Sequence, residues 1–397
     1  MNHILVISFT FCFLSIAPAD LPQQASPINF GPEEIIKANG VDIKVPGYSV
    51  PSFVDWNNDG LCDLVIGQGS GSYPPGKVRV YLNAGTESSP KFTDYFFVQS
   101  QDADLTVPAG GCMGCFPRVV YWDSDDRKDL LMGLADGTIK IFLNINDNNE
   151  PVFDSGSDVQ TFLADSGIDV RISVGARATP SFLDWDKDGK TDLVTGALDG
   201  KIHIFLNCGC SDEVPLFWSL LPSGTFVQED DHDLVVPSQR SSPAIFDLDR
   251  DGKDDLLTGN TDGQLLFYRN LGPDYLPTFS GYLPVESNDV PIDLVGSVRS
   301  RPSVCFWTDD GYPDVLIGAG DGKVHLFQGI PETCDINLDG DINFIDFALF
   351  AIHWQQGDCK KCGEYFNKPS RAVDFNGDGK INIDDLRMLA ENWLRMP

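Results

Sequence analysis

Apolar and polar residues alternate with a period of two through short segments of this chain. In Lys201-Ile-His-Ile-Phe-Leu-Asn, the side chains of Ile202, Ile204 and Leu206 face one way and those of His203 and Phe205 the other, which is the signature of a β-strand. Such segments recur in a fixed order. A Pro-x-Phe step (Pro90/Phe92, Pro151/Phe153, Pro215/Phe217, Pro277/Phe279) is followed by an alternating strand such as Asp169-Val-Arg-Ile-Ser-Val. Next come a Pro-led apolar strand (Pro180-Ser-Phe-Leu), an acidic loop, Asp192-Leu-Val-Thr-Gly and the closing alternating strand. Four short strands with Gly, Asp and Asn at the turns describe one propeller blade. The last aspartate of the acidic loop falls at 63, 129, 192, 255 and 314, and a fixed period of about 63 residues marks an array of repeated supersecondary units.

The segment from Asn29-Phe30 through Val41-Asp-Ile-Lys-Val matches the opening half of the later units, and the last unit stops after Lys323-Val-His-Leu-Phe-Gln. The array therefore begins and ends in phase between about 27 and 329. The expected fold is mainly β, a closed ring of five blades, with an open stack of sheets as the alternative. After the short Pro331-Glu-Thr link the period changes from two to that of a helix. Phe347, Phe350 and Trp354, and again Leu386, Leu389 and Trp393, recur at i, i+3 and i+7. Residues 334–396 are thus expected to form a small all-α module in which two apolar helix faces pack together.

The acidic loops carry the candidate chemistry. The fullest is Asp184-Trp-Asp186-Lys-Asp188-Gly189-Lys190-Thr-Asp192, beside Asp55/Asn57/Asp59/Asp63, Asp123/Asp125/Asp129, Asp247/Asp249/Asp251/Asp255 and an eroded Asp310/Asp314. Calcium takes six to eight hard oxygen ligands, which short loops supply from alternating side chains and a backbone carbonyl. Positions 1, 3, 5 and 9 offer the side-chain oxygens, and position 7 (Lys190, Lys253) offers the carbonyl. Glycine at position 6 (Gly60, Gly189, Gly252, Gly311) permits a sharp turn with positive φ. Two unit charges 4 Å apart interact by about 4 kcal/mol at an effective dielectric of 20, so gathered carboxylates call for a divalent cation. Unit two has Tyr121 at position 1 and Asp126 in place of the glycine, so weak binding is expected there; unit five has Phe306 and Thr308 at positions 1 and 3, so none is expected.

Two further loops of twelve residues lie in the C-terminal module. They are Asp335, Asn337, Asp339, Asp341, Asn343 and Asp346, with Gly340 at position 6, and Asp374, Asn376, Asp378, Lys380, Asn382 and Asp385, with Gly379. Oxygen donors at 1, 3, 5, 9 and 12, glycine at 6 and a carbonyl at 7 are what an EF-hand-type calcium loop requires.

Composition narrows the partners. The 397 residues are 42% hydrophobic and carry a net charge of −31, so the chain can bury a core, and its field repels nucleic acid and anionic membranes. The N-terminus, Ile4 to Ile16 followed by Ala17-Pro-Ala19, reads as a secretory signal with cleavage near Ala19, and no segment reaches the roughly 20 apolar residues of a membrane span. Nine cysteines then remain, and in an oxidising compartment most are expected to pair, with Cys112/Cys115 and Cys208/Cys210 as local pairs and one thiol left over. The two C-x-x-C spacings leave zinc or thiol redox chemistry as the alternative.

Asp-x-Asp-x-Asp-Gly-x-x-Asp-Leu, followed by Gly-x-x-Asp-Gly as in Gly259-Asn-Thr-Asp262-Gly263, resembles the FG-GAP/VCBS repeats, the extracellular calcium-loop blades also found in integrin α-chain propellers. The resemblance covers about three quarters of the chain. The family's propellers commonly have seven blades, whereas five units fit here. The C-terminal module resembles a type I dockerin, which implies a cohesin-type scaffold partner. Positions 10 and 11, often a Ser-Thr recognition pair in that family, are Phe344-Ile345 and Ile383-Asp384 here.

No nucleophile elbow, zinc signature, phosphate loop or dinucleotide fingerprint appears. His203 and His325 sit at strand positions held elsewhere by Arg79 and Lys140, which reads as solvated. No catalytic residue is assigned. The expectation is a secreted, calcium-loaded, non-catalytic binding or adhesion protein whose propeller takes a carbohydrate or protein ligand. The alternative is a polysaccharide hydrolase or lyase carried by the same docking module, as the resemblance to dockerins implies. Arg177, Arg240 and Arg299 each lie three residues before the proline of the inner strand, with Tyr48 at the matching place in unit one. They should gather at one mouth of the central channel, there either to hold an acidic sugar or carboxylate or to pair with neighbouring acidic loops.

Overall fold

The computed structural model describes residues 28–69, 76–108, 114–209, 211, 213–288, 290–294, 298–308 and 312–329, with helical backbone at 347, 348, 350, 351, 383, 386, 387 and 389. The signal-like N-terminus, Cys112, Cys210, Asp310, Gly311 and, apart from Ile383, both twelve-residue loops lie outside the described residues.

The described chain is mainly β. Three strands repeat five times as an antiparallel meander: Ser49–Val54, Asp63–Gln68, Val78–Asn83; Cys115–Val120, Asp129–Leu134, Ile139–Phe142; Thr179–Leu183, Asp192–Gly196, Ile202–Asn207; Ser242–Phe246, Asp255–Gly259, Leu265–Tyr268; Arg301–Cys305, Asp314–Gly318, Val324–Phe327. The first strand of each meander neighbours the first strand of the next, and Arg301–Cys305 returns to Ser49–Val54.

Each sheet straddles the sequence repeat rather than coinciding with it. The fourth strand comes from the following unit: Phe92–Phe97, Ser157–Asp158, Thr225–Phe226 and Leu283–Pro284. For the last sheet it comes from the start of the chain, where Glu34 pairs with Leu326 and Ile35 with His325. A second line of contacts runs the same way round. The phenylalanines of the Pro-x-Phe steps bridge in parallel to the preceding unit, as Ala38 with Phe92, Ser100 with Phe153, Thr161 with Phe217 and Glu229 with Phe279. Phe30 completes the series by pairing with Ser287.

The glycine of Asp-Leu-Val-Thr-Gly is fixed by this sheet-to-sheet approach. A Cβ on Gly196 would lie 2.4 Å from the Ser241 carbonyl oxygen and 2.7 Å from Pro243 Cδ; on Gly318 it would lie 2.2 Å from the Ser49 oxygen. Backbone this close tolerates no side chain. The apolar core lies between the sheets: Val194, Ile202 and Ile204 of one meander pack with Leu256, Leu266 and Tyr268 of the next. Burying a side chain of this size contributes about 1.5–3 kcal/mol.

Burial on both sheet faces corrects one expectation. His203 and His325 are 3% and 4% exposed, not solvated. His203 Nδ1 meets the Ser223 carbonyl at 2.8 Å with the Phe226 ring edge-on at 5.0 Å, and His325 Nδ1 lies 2.5 Å from Glu33 Oε1 where the N-terminal strand joins the last sheet. The cysteine expectation is corrected in part: Cys208 is disulfide-bonded, but Cys115 is not paired with Cys112 and more than one thiol is left over. Cys62, Cys115 and Cys305 are free thiols, and burial pushes the Cys115 thiol up to about 12, which makes it an inert core group. Phe350 and Leu389 are buried, whereas Phe347 is 36% exposed. Among the described residues no helix is long and apolar enough to cross a membrane.

Candidate metal centre

Each acidic loop joins the first and second strands of its meander, and the last aspartate, which opens the second strand, has the same partners in every unit. Asp192 Oδ2 accepts from Trp185 N at 3.0 Å and Oδ1 from Asn207 N at 2.7 Å. Asp63 holds Trp56 N and Asn83 N at 3.0 and 2.7 Å; Asp129 holds Trp122 N and Asn144 N at 3.2 and 2.8 Å; Asp255 holds Leu248 N and Asn270 N at 3.2 and 2.8 Å. Asp314, in the eroded fifth loop, does the same to Trp307 N and Gly329 N at 2.6 and 2.8 Å. This carboxylate clamps the loop's start to the end of the third strand. Burial raises Asp63, Asp129 and Asp192 to about 6 and Asp255 to about 8, while the two backbone donors act in the opposite direction.

Positions 1, 3 and 5 in unit three, and positions 1, 3 and 9 in unit four, form the candidate ligand set. Carboxylate oxygens of Asp184, Asp186 and Asp188 lie within 4.8 Å of one another, as do those of Asp247, Asp249 and Asp255. Gly189 N donates to Asp184 Oδ2 at 3.0 Å and Gly252 N to Asp247 Oδ2 at 3.0 Å, which folds position 1 back over the turn. Glycine at position 6 takes the expected positive φ, 87° at Gly60 and 88° at Gly189 and Gly252. Asp247 Oδ1 is buried without a hydrogen-bond partner, and burial first, then Asp249 and Asp251, raises this carboxyl to about 6. A buried, unsatisfied carboxylate oxygen within reach of two others fits a hard divalent cation. When bound, such an ion would supply the positive charge that relieves their mutual repulsion.

Unit one differs from units three and four in that only two of its first three ligand positions are carboxylates, Asp55 and Asp59, with Asn57 between them. Asp55, Asp59 and Asp63 do not form a three-carboxylate group among the described residues. Asp59 is exposed and turned to its own loop instead: its Oδ2 accepts from Asn57 Nδ2 at 3.0 Å and its Oδ1 from Leu61 N at 2.8 Å. The physical reason is the residue at position 3. Asn57 is neutral and its amide donates to Asp59, a contact that a carboxylate at the same place would replace with repulsion. The nearly buried Lys128 of unit two also reaches across to the Asp55 carbonyl and, at 3.7 Å, to Asp55 Oδ1.

The other loops also differ in how far cationic side chains occupy them. In unit two, the Arg127 guanidinium holds Asp125 through Nε at 2.6 Å and through Nη2, and this contact draws Asp125 below the usual carboxylate range. Asp126 takes the glycine position at φ 60°. Lys190 Nζ lies 3.1 Å from Asp188 Oδ2, Lys253 Nζ 3.5 Å from Asp251 Oδ2, and Arg269 Nε 2.6 Å from Asp249 Oδ2.

Sequence reasoning passed over the asparagine that ends the third strand. Asn207 Oδ1 accepts from Gly209 N and Leu216 N, and Asn83, Asn144 and Asn270 organise the same turn. Its signal was recurrence at 83, 144, 207 and 270. The aromatic residue after position 1 was also passed over. Trp56, Trp122, Trp185 and Trp307 pack on Phe153, Phe217, Phe279 and Phe92 at 5.8–6.5 Å, tying each loop to another unit.

At the opposite end of the inner strands the arginines do gather. Arg177, Arg240 and Arg299 line one depression together with Arg301, and among the described residues no carboxylate lines it. The acidic loops follow the far end of each inner strand, roughly 17 Å away for five residues at about 3.3 Å each, so they are not the lining. Tyr48 is part of this cluster. Its hydroxyl accepts from Arg299 Nη1, and its ring lies 4.4 Å from the Arg299 and 4.7 Å from the Arg301 guanidinium.

Residues 184–258 match the FG-GAP-like repeat family, and residues 333–393 match the Dockerin type I domain. The chain carries an FG-GAP-like repeat and a dockerin type I domain. No curated protein sequence matches it. Among solved structures, the catalytic domain of a Coprinopsis cinerea GH62 alpha-L-arabinofuranosidase is similar over 76% of this chain and 97% of its own, at 12% identity and a TM-score of 0.42. A GH43 beta-1,3-galactosidase with galactodeoxynojirimycin is similar over 76% and 94%, at 11% identity and 0.44. The Photorhabdus luminescens Tc holotoxin pore is similar over 76% of this chain but only 15% of that chain, at 12% identity and 0.31.

Proposed function

We propose that residues 27–329 form a closed five-bladed propeller and residues 334–396 a two-helix docking module, in a secreted protein that binds calcium and uses the propeller as a non-catalytic ligand-presenting surface. Ring closure is supported by the cyclic order of inner strands, by the Glu34–Ile35 strand in the last sheet and by Phe30 against Ser287. Calcium is assigned to the loops starting at Asp184 and Asp247, and to a third at Asp55 in which Asp59 exchanges the Asn57 amide for the ion. A weak site is assigned to the loop at Asp123, and two more to the dockerin type I domain. In the latter the ligands are Asp335, Asn337, Asp339, Asp341, Asn343 and Asp346, and Asp374, Asn376, Asp378, Lys380, Asn382 and Asp385.

The observation that carries this reading is the dockerin type I match over 333–393. A dockerin implies a cohesin-type partner, and each ion would fix the start of the helix that presents the binding face. Ile383, at loop position 10, is 64% exposed, so the recognition surface offers an aliphatic side chain where a hydroxyl is common in the family. The partner is accordingly a cohesin with an apolar contact at that point.

The test is retention of the full-length protein on immobilised type I and type II cohesins, with calcium and with a chelator. Calcium-dependent retention by at least one cohesin is expected; no retention by any, or retention untouched by the chelator, overturns the docking role. Turnover of uronate-containing polysaccharides by the same preparation would overturn the non-catalytic role.

A further inference from the structure

The chain is strongly acidic, with a net charge of −31, yet one place concentrates positive charge. Four arginines from three sheets converge on the depression at the mouth opposite the acidic loops. Arg301 is 5% exposed, its guanidinium lying between the Tyr48 and Phe116 rings at 4.7 and 5.2 Å. Burial, together with Arg299, Arg177 and Arg240, pushes Arg301 down to about 9, which reports like charges facing one another. Arg299 Nε is buried and makes no hydrogen bond among the described residues.

The backbone is also held in a costly form at this rim. Arg177, Arg240 and Arg299 have φ of 62°, 62° and 76°, a left-handed conformation that non-glycine residues seldom adopt. Three long side chains are thereby turned to one place by the same turn in three successive units. A packing role would be met by glycine or asparagine at such a turn, without the repulsion that arginine adds. Planar guanidinium forks match the paired oxygens of a carboxylate or sulfate. The hydroxyls of Thr179, Ser241 and Ser300 in the lining are buried and donate to backbone carbonyls, so the guanidinium forks are what the site offers a ligand.

We propose that this arginine mouth is an oxyanion-binding site that takes the single carboxylate or sulfate of an acidic sugar, with Arg177, Arg240 and Arg299 as the rim contacts and Arg301 as the charge beneath them. This deepens the ligand-presenting reading of the propeller and rests on it. The net negative charge elsewhere selects against polyanions at long range, so a sparsely charged saccharide suits the site better than a nucleic acid.

The experiment is calorimetric titration of the calcium-loaded full-length protein with glucuronate, glucose 6-sulfate, inorganic sulfate and glucose. Saturable binding of one or both charged sugars, and none of glucose, is expected; which one binds distinguishes a carboxylate source from a sulfate source. Arg240→Gln and Arg299→Gln should each weaken that binding at least tenfold. Arg299→Lys, which keeps the charge and loses the fork, should weaken it less. Calcium content and melting temperature, measured on each variant, show that the fold is intact. Binding of glucose equal to that of the charged sugars, binding of inorganic sulfate only, failure of both charged sugars, or variants that bind as the parent does would each overturn the assignment. Cohesin retention measured on the same samples separates failure of this site from failure of the docking role.

Discussion

The acidic loops of units three and five have the same clamp and different middles. In unit three, Asp184, Asp186 and Asp188 bring their carboxylates together, and Asp192 clamps Trp185 and Asn207. In unit five the first and third positions are Phe306 and Thr308, yet Asp314 still clamps Trp307 and Gly329 at comparable distances. The difference separates two jobs that the motif fuses in sequence. The last aspartate clamps the fold in both units, whereas the preceding ones are the positions assigned above to the cation, and the clamp survives where those positions have eroded.

The largest expected effect comes from breaking the clamp. Asp314→Ala leaves two buried backbone donors without an acceptor, at about 1–3 kcal/mol each, and the loss should be the same with calcium and with a chelator because unit five lacks carboxylates at positions 1 and 3. Thermal melts in both conditions check this. Next in size is removal of calcium from the parent protein, which should destabilise the propeller by about 2.7 kcal/mol for each loop it empties when calcium had stood at 100 times that loop's Kd. A chelator that leaves the melt unmoved would leave the middle aspartates without their assigned role. Smaller still are single-loop changes read by equilibrium dialysis. Asp186→Ala and Asp249→Ala should each remove one bound calcium, and Arg127→Gln should strengthen the weak second loop by releasing Asp125 from its guanidinium.

Much of this comparison was legible in the sequence. Aspartates at alternate positions before a glycine fix a calcium-type turn, and Gly60, Gly189 and Gly252 adopt the positive φ such a turn needs. The match of Asn29-Phe30 through Val41-Asp-Ile-Lys-Val to the opening half of later units foreshadowed a chain start that completes the last sheet. The clamp was not legible, because a carboxylate bound to two backbone donors and one bound to metal occupy the same place in the pattern. The turn of Asp59 onto Asn57 was hidden for a related reason, since spacing counts asparagine and aspartate alike as oxygen donors while only asparagine also donates a hydrogen bond. Nor was the burial of His203 and His325 legible, because period-two alternation separates the faces of a strand but cannot show that both faces are covered when sheets pack against sheets. Arg301 was passed over because it does not repeat at the position shared by Arg177, Arg240 and Arg299 and sits beside it instead.

The smallest expected effect concerns His203. Burial lowers its pKa from the ordinary value, so the folded state favours neutral imidazole while the unfolded state takes up a proton near 6.5. Its contribution is therefore fully present above pH 6.5 and declines as the pH falls below that value. His203→Gln should flatten the decline in melting temperature between pH 7 and pH 5, and a slope identical to that of the parent would show that the imidazole does not resist protonation in the fold.

The most direct measurement of the separation between clamp and ligand is the calcium-induced shift in melting temperature of Asp186→Ala beside Asp314→Ala. Asp186→Ala is predicted to melt like the parent in chelator and to gain less from calcium, while Asp314→Ala melts lower in chelator and gains as much from calcium as the parent does. Loss of calcium response in Asp314→Ala, with Asp186→Ala responding like the parent, would contradict the division of roles along the loop.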